Sequence, residues 1–342
     1  MKKLLLFTLL IATAVCLAGE KAYKAMFQKD TNILLTCDCA TWDKFSKDNK
    51  LEEVFSSFND QNNGLTEVST SLQKKIAEKL KDNKLLKAYV AAAISTDDIL
   101  SMDTKAMKGV FFLVELEAPV TIDLVMDIVS EAGKKEEVAC TRADIGEFPS
   151  VQVKVKEDEF VIALVDGGKS AVLSKADDLK AYLERYKAGS VLDVPSKLAE
   201  VAASVGSGSS FVISFAMPDG MDKYLGDKAE KSRENDPMNA TFMDTGAKLQ
   251  GVNIALNPVG NNLEIKLGFL MNTPEDAIQL KAFIFEGMLK PMLGMMMNDQ
   301  GQPYAFVQKL VFGCENRCAT ATTSISIEEI TGFFKTMSMM RQ

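Results

Sequence analysis

The 342-residue chain contains no histidine. That absence excludes Ser-His-Asp and Cys-His catalysis, His-ligated zinc and iron, and imidazole pH switching. Any enzyme built on this sequence works with carboxylates, Lys, Tyr, Ser or Cys. Long apolar runs are lacking too. Beyond the N-terminal leader, no segment reaches the about 18 uninterrupted apolar residues that a spanning helix needs. Basic charge is in deficit: 39 Lys and Arg face 47 Asp and Glu, a formal charge of −8 at pH 7. An acidic surface repels phosphate backbones and anionic lipid, which argues against nucleic acid and against anionic membrane as partners.

What is present begins with "MKKLLLFTLLIATAVCLAGE". Lys2 and Lys3 form a basic n-region, and Leu4 to Leu17 is an apolar run of secretory length. Small residues follow. The pattern predicts a signal peptide over residues 1–18 rather than a spanning helix, because the run is short and ends in a cleavage-like site. Cys16 and Ala18 occupy the −3 and −1 positions for cleavage between Ala18 and Gly19. A lipid anchor on Cys16 is the alternative, against which Thr13-Ala14-Val15 makes a poor lipobox. Losing Lys2 and Lys3 takes the charge from −8 to −10. The expected mature chain is periplasmic or secreted, with no membrane span. Its length suggests two domains, each large enough to bury a core.

Strand and helix periods alternate along the chain. "NILLTCDCATWDKF" reads as a strand with Ile33, Leu35, Cys37 and Cys39 on one face. "LEEVFSSF" and "TEVSTSLQKKIAEKLKD" read as helices, "LLKAYVAAAIS" and "GVFFLVELE" as strands, and "VTIDLVMDIVSEAGK" as a helix capped by Thr121 and ended by Gly133. Val151, Val153 and Val155 alternate with polar residues, and Asp166-Gly167-Gly168 supplies a tight turn. Ser174 with Asp177 approximates a capping box before the stripe Leu179, Tyr182, Leu183, Tyr186.

The second half repeats the plan. Pro258 to Asn262 turn between two strands, Thr273 and Pro274 open a helix, and a further strand–turn–strand ends at the Ser326/Glu329 capping box. Each half therefore reads as hairpin–helix, hairpin–helix. The predicted class is α+β: two domains, 19–190 and 191–342, of antiparallel sheet with helices on one face. "KAGSVLDVPS", 187–196, marks the boundary, and the polar stretch 218–246 is an excursion between strands. This layout resembles bacterial exported proteins of unknown function built from tandem strand–strand–helix modules. The resemblance implies an envelope or secreted location and carries no catalytic residues.

Cysteine and methionine hold the remaining candidate chemistry. "CENRC" sits at a hairpin turn, where Cys314 and Cys318 flank a three-residue loop, so a disulfide between them is the leading reading. So short a loop stabilises by less than the about 3 kcal/mol expected for 15 residues. Reduced thiols and metal ligation are the alternatives. Cys37 and Cys39 read as buried on a strand face, with a bridge from one of them to Cys140 as the alternative. Met288, Met292, Met295, Met296 and Met297 read as core filling, with Cu(I) ligation or a sticky partner surface as competing uses. Ser71 and Lys74 match SxxK without its companion motifs.

No catalytic, cofactor or metal site is assigned. The leading functional reading is an exported non-enzymatic binding or scaffolding protein of the cell envelope with an undetermined partner. The alternative is an envelope metal-handling or thiol-active protein using the Met and Cys clusters, and a His-free hydrolase is a third class.

Overall fold

The structure, a computed structural model, describes residues 20–51, 78–80, 83–101, 107–132, 138–155, 158–190, 192–205, 208–295, 301–302 and 304–332. The leader with its Ala18–Gly19 cleavage site, the "LEEVFSSF" helix beyond Leu51, the SxxK match and Met296 and Met297 lie outside the described residues.

The strands are β1 Ile33–Asp38, β2 Leu85–Ala93, β3 Lys108–Leu116, β4 Val138–Arg142, β5 Ser150–Val155, β6 Asp158–Val165, β7 Ser170–Ser174, β8 Phe211–Ala216, β9 Leu249–Val259, β10 Asn262–Met271, β11 Val311–Glu315 and β12 Cys318–Ser326. They form one sheet in the order β11-β12-β10-β9-β8-β1-β2-β3-β7-β6-β5-β4. Every pairing is antiparallel. The α+β class with an antiparallel sheet is what the molecule has.

The two sequence halves are two arms of that sheet. They meet where β1 pairs with β8, Leu35 opposite Ile213. Outward from the centre, the first arm runs β1, β2, β3, β7, β6, and the second runs β8, β9, β10, β12, β11. In each, the third strand leads into a helix, α4 (Ile122–Ala132) or α9 (Pro274–Leu280), and the chain returns so that β7 or β12 lies beside that third strand. A short helix precedes each arm, α1 (Glu20–Ala25) and α6 (Ser196–Ala203). β4 and β5 extend the first arm alone. The 187–196 boundary falls between α5 (Ala176–Ala188), ended by the left-handed Gly189, and α6. The sheet does not break there, and one core cluster joins Leu179 and Tyr182 to Leu198, Val201, Ala216 and Leu270.

Helices cover both faces, which corrects the one-face expectation. In β3, Phe111 and Leu113 pack against α1 and α5, while Val114 and Leu116 join the cluster under α4. A sheet covered twice has no solvated side to alternate toward, which is why "GVFFLVEL" is apolar apart from Glu115. α2 (Cys39–Asp48) lies on the α4 face, its Trp42 edge-on to Phe211 of β8. α3 (Thr96–Leu100) follows β2, opened by a Ser95/Asp98 capping box. The polar 218–246 stretch folds as α7 (Met221–Ser232) and α8 (Pro237–Ala247) between β8 and β9. α9 continues into a π-helix, Lys281–Leu289, and then α10 (Lys290–Gly294); α11 (Ala305–Gln308) precedes β11.

Three caps were legible and one was not. The Thr121 hydroxyl accepts from Leu124 N at 3.3 Å. The Thr273 hydroxyl accepts from Asp276 N at 3.1 Å, and Ser326 and Glu329 bond reciprocally at 3.0 and 3.1 Å. Ser174 does not cap α5. It is buried in β7, where its hydroxyl donates to the Val110 carbonyl at 2.7 Å, and Lys175 takes the cap position. A buried hydroxyl needs a partner more than an exposed helix end needs a cap.

Candidate binding cleft

The turn joining β6 to β7 is clasped by the lead-in to α4. Asp166, Gly167 and Gly168 take φ of 50°, 66° and 88°. Val120 N donates to the Gly168 carbonyl at 2.9 Å, and a Cβ on Gly168 would stand 2.5 Å from the Val120 carbonyl. Only glycine permits that approach. The segment after β4 folds back beside this clasp. The Asp144 carboxylate accepts from Ser150 N at 3.0 Å and from the Arg142 guanidinium at 3.2 Å; the Ser150 amide foremost, with Arg142, holds Asp144 below the usual carboxylate range. Arg142 also reaches Asp123, on the first turn of α4, at 3.4 Å.

Between these elements lies an open cleft of about 500 Å³. Phe148 stands edge-on to Tyr186 of α5, ring centres 5.8 Å apart, and the two make its aromatic wall. Lys21 Nζ sits over the outer face of Tyr186 at 4.5 Å, a cation–π contact. Arg142, Asp123 and Glu147 rim the cleft, and Asp166 closes its floor.

Asp166 is the hinge of a polar network. Tyr186 Oη donates to one carboxylate oxygen at 2.6 Å and the Ser170 hydroxyl to the other at 3.0 Å. Burial, and then the hydrogen bond to Asp166 and its charge, push the Tyr186 phenol up to about 12. Behind them lies Glu115 of β3, 1% exposed, with no hydrogen-bond partner at Oε1. Burial pushes its carboxyl up to about 8, the Asp166 charge adding to the effect and Lys87 opposing it. Glu115, buried beside this network, therefore keeps its proton at neutral pH. Glu115 is too deeply buried to touch a molecule in the cleft, so the surface a ligand meets is Arg142, Phe148, Asp166 and Tyr186.

None of this was assigned from sequence. In the sequence Asp166 is a turn residue and Tyr186 belongs to a helix stripe. The legible signal was Glu115 itself, a charge inside the apolar run "GVFFLVELE".

The cysteines depart from expectation. The turn in "CENRC" is two residues, Asn316 at φ 49° and Arg317, so Cys314 pairs with Ala319 and Glu315 with Cys318. Because facing residues share a sheet face and neighbours alternate, Cys314 and Cys318 point to opposite sides. Cys314 is exposed, Cys318 is buried with Sγ 3.5 Å from the Ser204 carbonyl, and neither is in a disulfide. A Cys314–Cys318 bond would require a different hairpin register. Cys39 is not on the strand: β1 ends at Asp38, which caps α2 by accepting from Thr41 N, and Cys39 is the first helical residue. Cys140 lies in β4, half-buried against the α4 cluster. Met292 and Met295, expected in the core, are 56% and 72% exposed on and just after α10; Ile278 and Phe283, earlier in the same helical stretch, are exposed too. No group of three or more Cys, Asp or Glu among the described residues is arranged to hold a metal ion, and no described helix is long and apolar enough to cross a membrane.

No protein-family model and no curated protein sequence matches this chain. Among solved structures it is similar to the treponemal protein TP0453 in three crystal forms, each at 11% identity. Form III has a TM-score of 0.45 and covers 91% of this chain and 97% of that one; form IV has 0.43, with 92% and 98%; form I has 0.42, with 90% and 94%.

Proposed function

We propose that the protein is an exported, non-enzymatic binding or scaffolding protein of the cell envelope, and that it binds through the cleft beside Tyr186. One observation carries the binding reading. The cleft combines an aromatic wall, Phe148 against Tyr186, with a charged rim at Arg142 and a hydrogen-bonded floor at Asp166. Its volume of about 500 Å³ is that of a small-ligand site. Export rests on the basic n-region, apolar run and small residues of positions 1–18.

The test places a photo-crosslinking residue at Phe148 in protein recovered from the exported fraction. A discrete adduct is expected there and none at exposed Leu192. Equal labelling at both positions, or none at either, removes the cleft as a binding site. Intact mass of the same material is expected to begin at Gly19 or Glu20; a full-length mass removes the export reading.

A second reading, envelope metal handling, is favoured by the exposure of Met292 and Met295, since thioethers in solvent can ligate Cu(I). Metal analysis of the purified protein before and after Met292→Leu and Met295→Leu decides it.

A further inference from the structure

The turn from β1 into α2 does something a strand could not. Residues two apart on a strand lie about 6.6–6.8 Å apart, at the limit for a disulfide, and a bond between them is strained. Here the chain changes direction at Asp38 (φ −87°, ψ 95°), leaving Cys37 as the penultimate strand residue and Cys39 as the first residue of a ten-residue helix. The Cys39 thiol lies 3.7 Å from Cys37 Sγ and 3.9 Å from the Cys37 carbonyl. Both cysteines are partly exposed, and neither is in a disulfide.

We propose that Cys37 and Cys39 are a redox-active dithiol that exchanges two electrons with an accessible peptide or small-molecule disulfide. Two independent observations carry this: the contact between the sulfurs, and the position of Cys39 at the positive end of α2. The dipole of α2 favours an anion at its first residue, even with the Asp38 carboxylate already accepting from Thr41 N, which makes Cys39 the attacking sulfur. Contact with Cys39, then burial, hold the Cys37 thiol up, with the nearby Asp38 charge acting the same way. Cys37 thus waits as the resolving thiol.

The Cys39 thiolate attacks one sulfur of the substrate disulfide, forming a mixed disulfide and releasing one substrate thiolate, which takes up a proton. Cys37 loses its proton and attacks Cys39 Sγ, forming the Cys37–Cys39 bond and expelling the second substrate thiolate. The substrate disulfide gains two electrons and two protons, and the dithiol loses them. The reverse sequence passes a disulfide to a substrate dithiol, a direction favoured by the strain of so small a ring. This site lies apart from the cleft and does not rest on the binding reading.

The chain supplies its own reporter. Trp42, one helical turn beyond Cys39, is its single tryptophan. The tryptic peptide 30–44 carries Cys37, Cys39 and Trp42 and no other cysteine. The full chain is equilibrated with mixtures of reduced and oxidised glutathione, quenched with iodoacetamide and digested. The expected result is that this peptide loses two hydrogens and takes up no alkyl group as the mixture becomes oxidising, while Trp42 emission falls in parallel. Cys37→Ser is expected to trap glutathione on residue 39, and Cys39→Ser to leave residue 37 slow to react. A peptide that stays doubly alkylated at every ratio overturns the proposal without any variant being made. So does bridging of either residue to Cys140. Equal trapping in both single variants overturns the assignment of Cys39 as nucleophile.

Discussion

β7 is buried at all five of its positions, whereas β12, which holds the same place in the second arm, is buried at three of nine. The strand path is shared, and the cover is not. α5 lies across the first arm with Leu179, Tyr182 and Leu183 buried beneath it, and α4 closes the opposite face. On the second arm, α9 and the π-helix cover one face of β12, burying Ala319 and Ala321. The opposite face presents Cys318 beneath the end of α6 and then Thr320, Thr322 and Ser324, half-exposed. The composition follows the cover: "SAVLS" in β7, "CATATTSIS" in β12. A shared topology therefore does not give the arms the same energetics. The first arm is covered on both faces as far as β7, with a cleft at its rim; in the second, α6 covers β8 to β10 and leaves the outer face of β12 beyond Cys318 half-exposed.

Truncation should separate the arms most sharply. Phe111 is fully buried in the first arm, packed on Tyr182 with ring centres 5.7 Å apart. Phe111→Ala is expected to lower stability by about 3–5 kcal/mol, combining lost transfer energy with a cavity. Thr322→Ala in the second arm removes a half-exposed group and should stay within about 0.5 kcal/mol. Denaturant midpoints at unchanged slope measure both. Equal losses would mean that the uncovered face of β12 is covered in solution.

The next largest effect is electrostatic and belongs to the first arm. Glu115 has a folded-state pKa raised to about 8 from 4.5. Between those values the folded chain binds more protons at this site than the unfolded chain, so stability falls as pH rises through the window. The penalty is absent below the unfolded value and complete above the folded one. Glu115→Gln should flatten stability between about pH 5 and 8 and stabilise the protein at pH 8 by on the order of a few kcal/mol. Urea midpoints across that range check it. An unchanged pH profile in the variant would show that Glu115 is ionised and paired in the folded protein.

Turns give a smaller contrast. Gly168, at φ 88°, is pressed on the Val120 carbonyl, while Gly260, at φ 59° between β9 and β10, has open space where a Cβ would go. Gly260→Ala carries only left-handed strain, about 1–2 kcal/mol. Gly168→Ala adds a steric clash with backbone, so its loss should exceed that of Gly260→Ala by about 1 kcal/mol or more. It should also open the clasp that shapes the cleft, lowering crosslinking from Phe148. Gly260→Ala should leave that crosslinking unchanged.

The arms differ in how legible they were. Period-2 alternation located β5, and turn residues located the β6–β7 and β9–β10 connections. The matching order of strands and helices exposed the repeated plan. The pairing of β1 with β8 had no local signal, because joining the arms is a contact between residues about 180 apart in sequence. Helices on both faces were encoded in the apolar run of β3, broken only by Glu115, but such a run is ambiguous when read alone. Glu115 was visible as a charge in that run. Its neighbour Asp166 comes from a distant turn, and sequence spacing cannot bring the two together.

The smallest effect lies at the edge of the second arm, and it tests the register directly. Cys314 sits on edge strand β11, exposed, while Cys318 is buried one strand inward beside Gly268. Burial foremost pushes the Cys318 thiol up. A buried, protonated thiol reacts slowly, and an exposed one reacts at the rate its surroundings allow. Under native conditions an alkylating reagent should therefore label Cys314 well before Cys318, and Cys314→Ser should change stability by no more than about 0.5 kcal/mol. A three-residue loop would put the two sulfurs on one face and let them bridge. Non-reducing peptide maps would then show them linked, neither would label, and Cys314→Ser would cost what the staple contributes. Sequential labelling establishes the two-residue turn; a linked pair would put Cys314 and Cys318 back on the same side of the sheet and shift β11 by one residue against β12, turning Phe312 out of the core that it shares with Phe285.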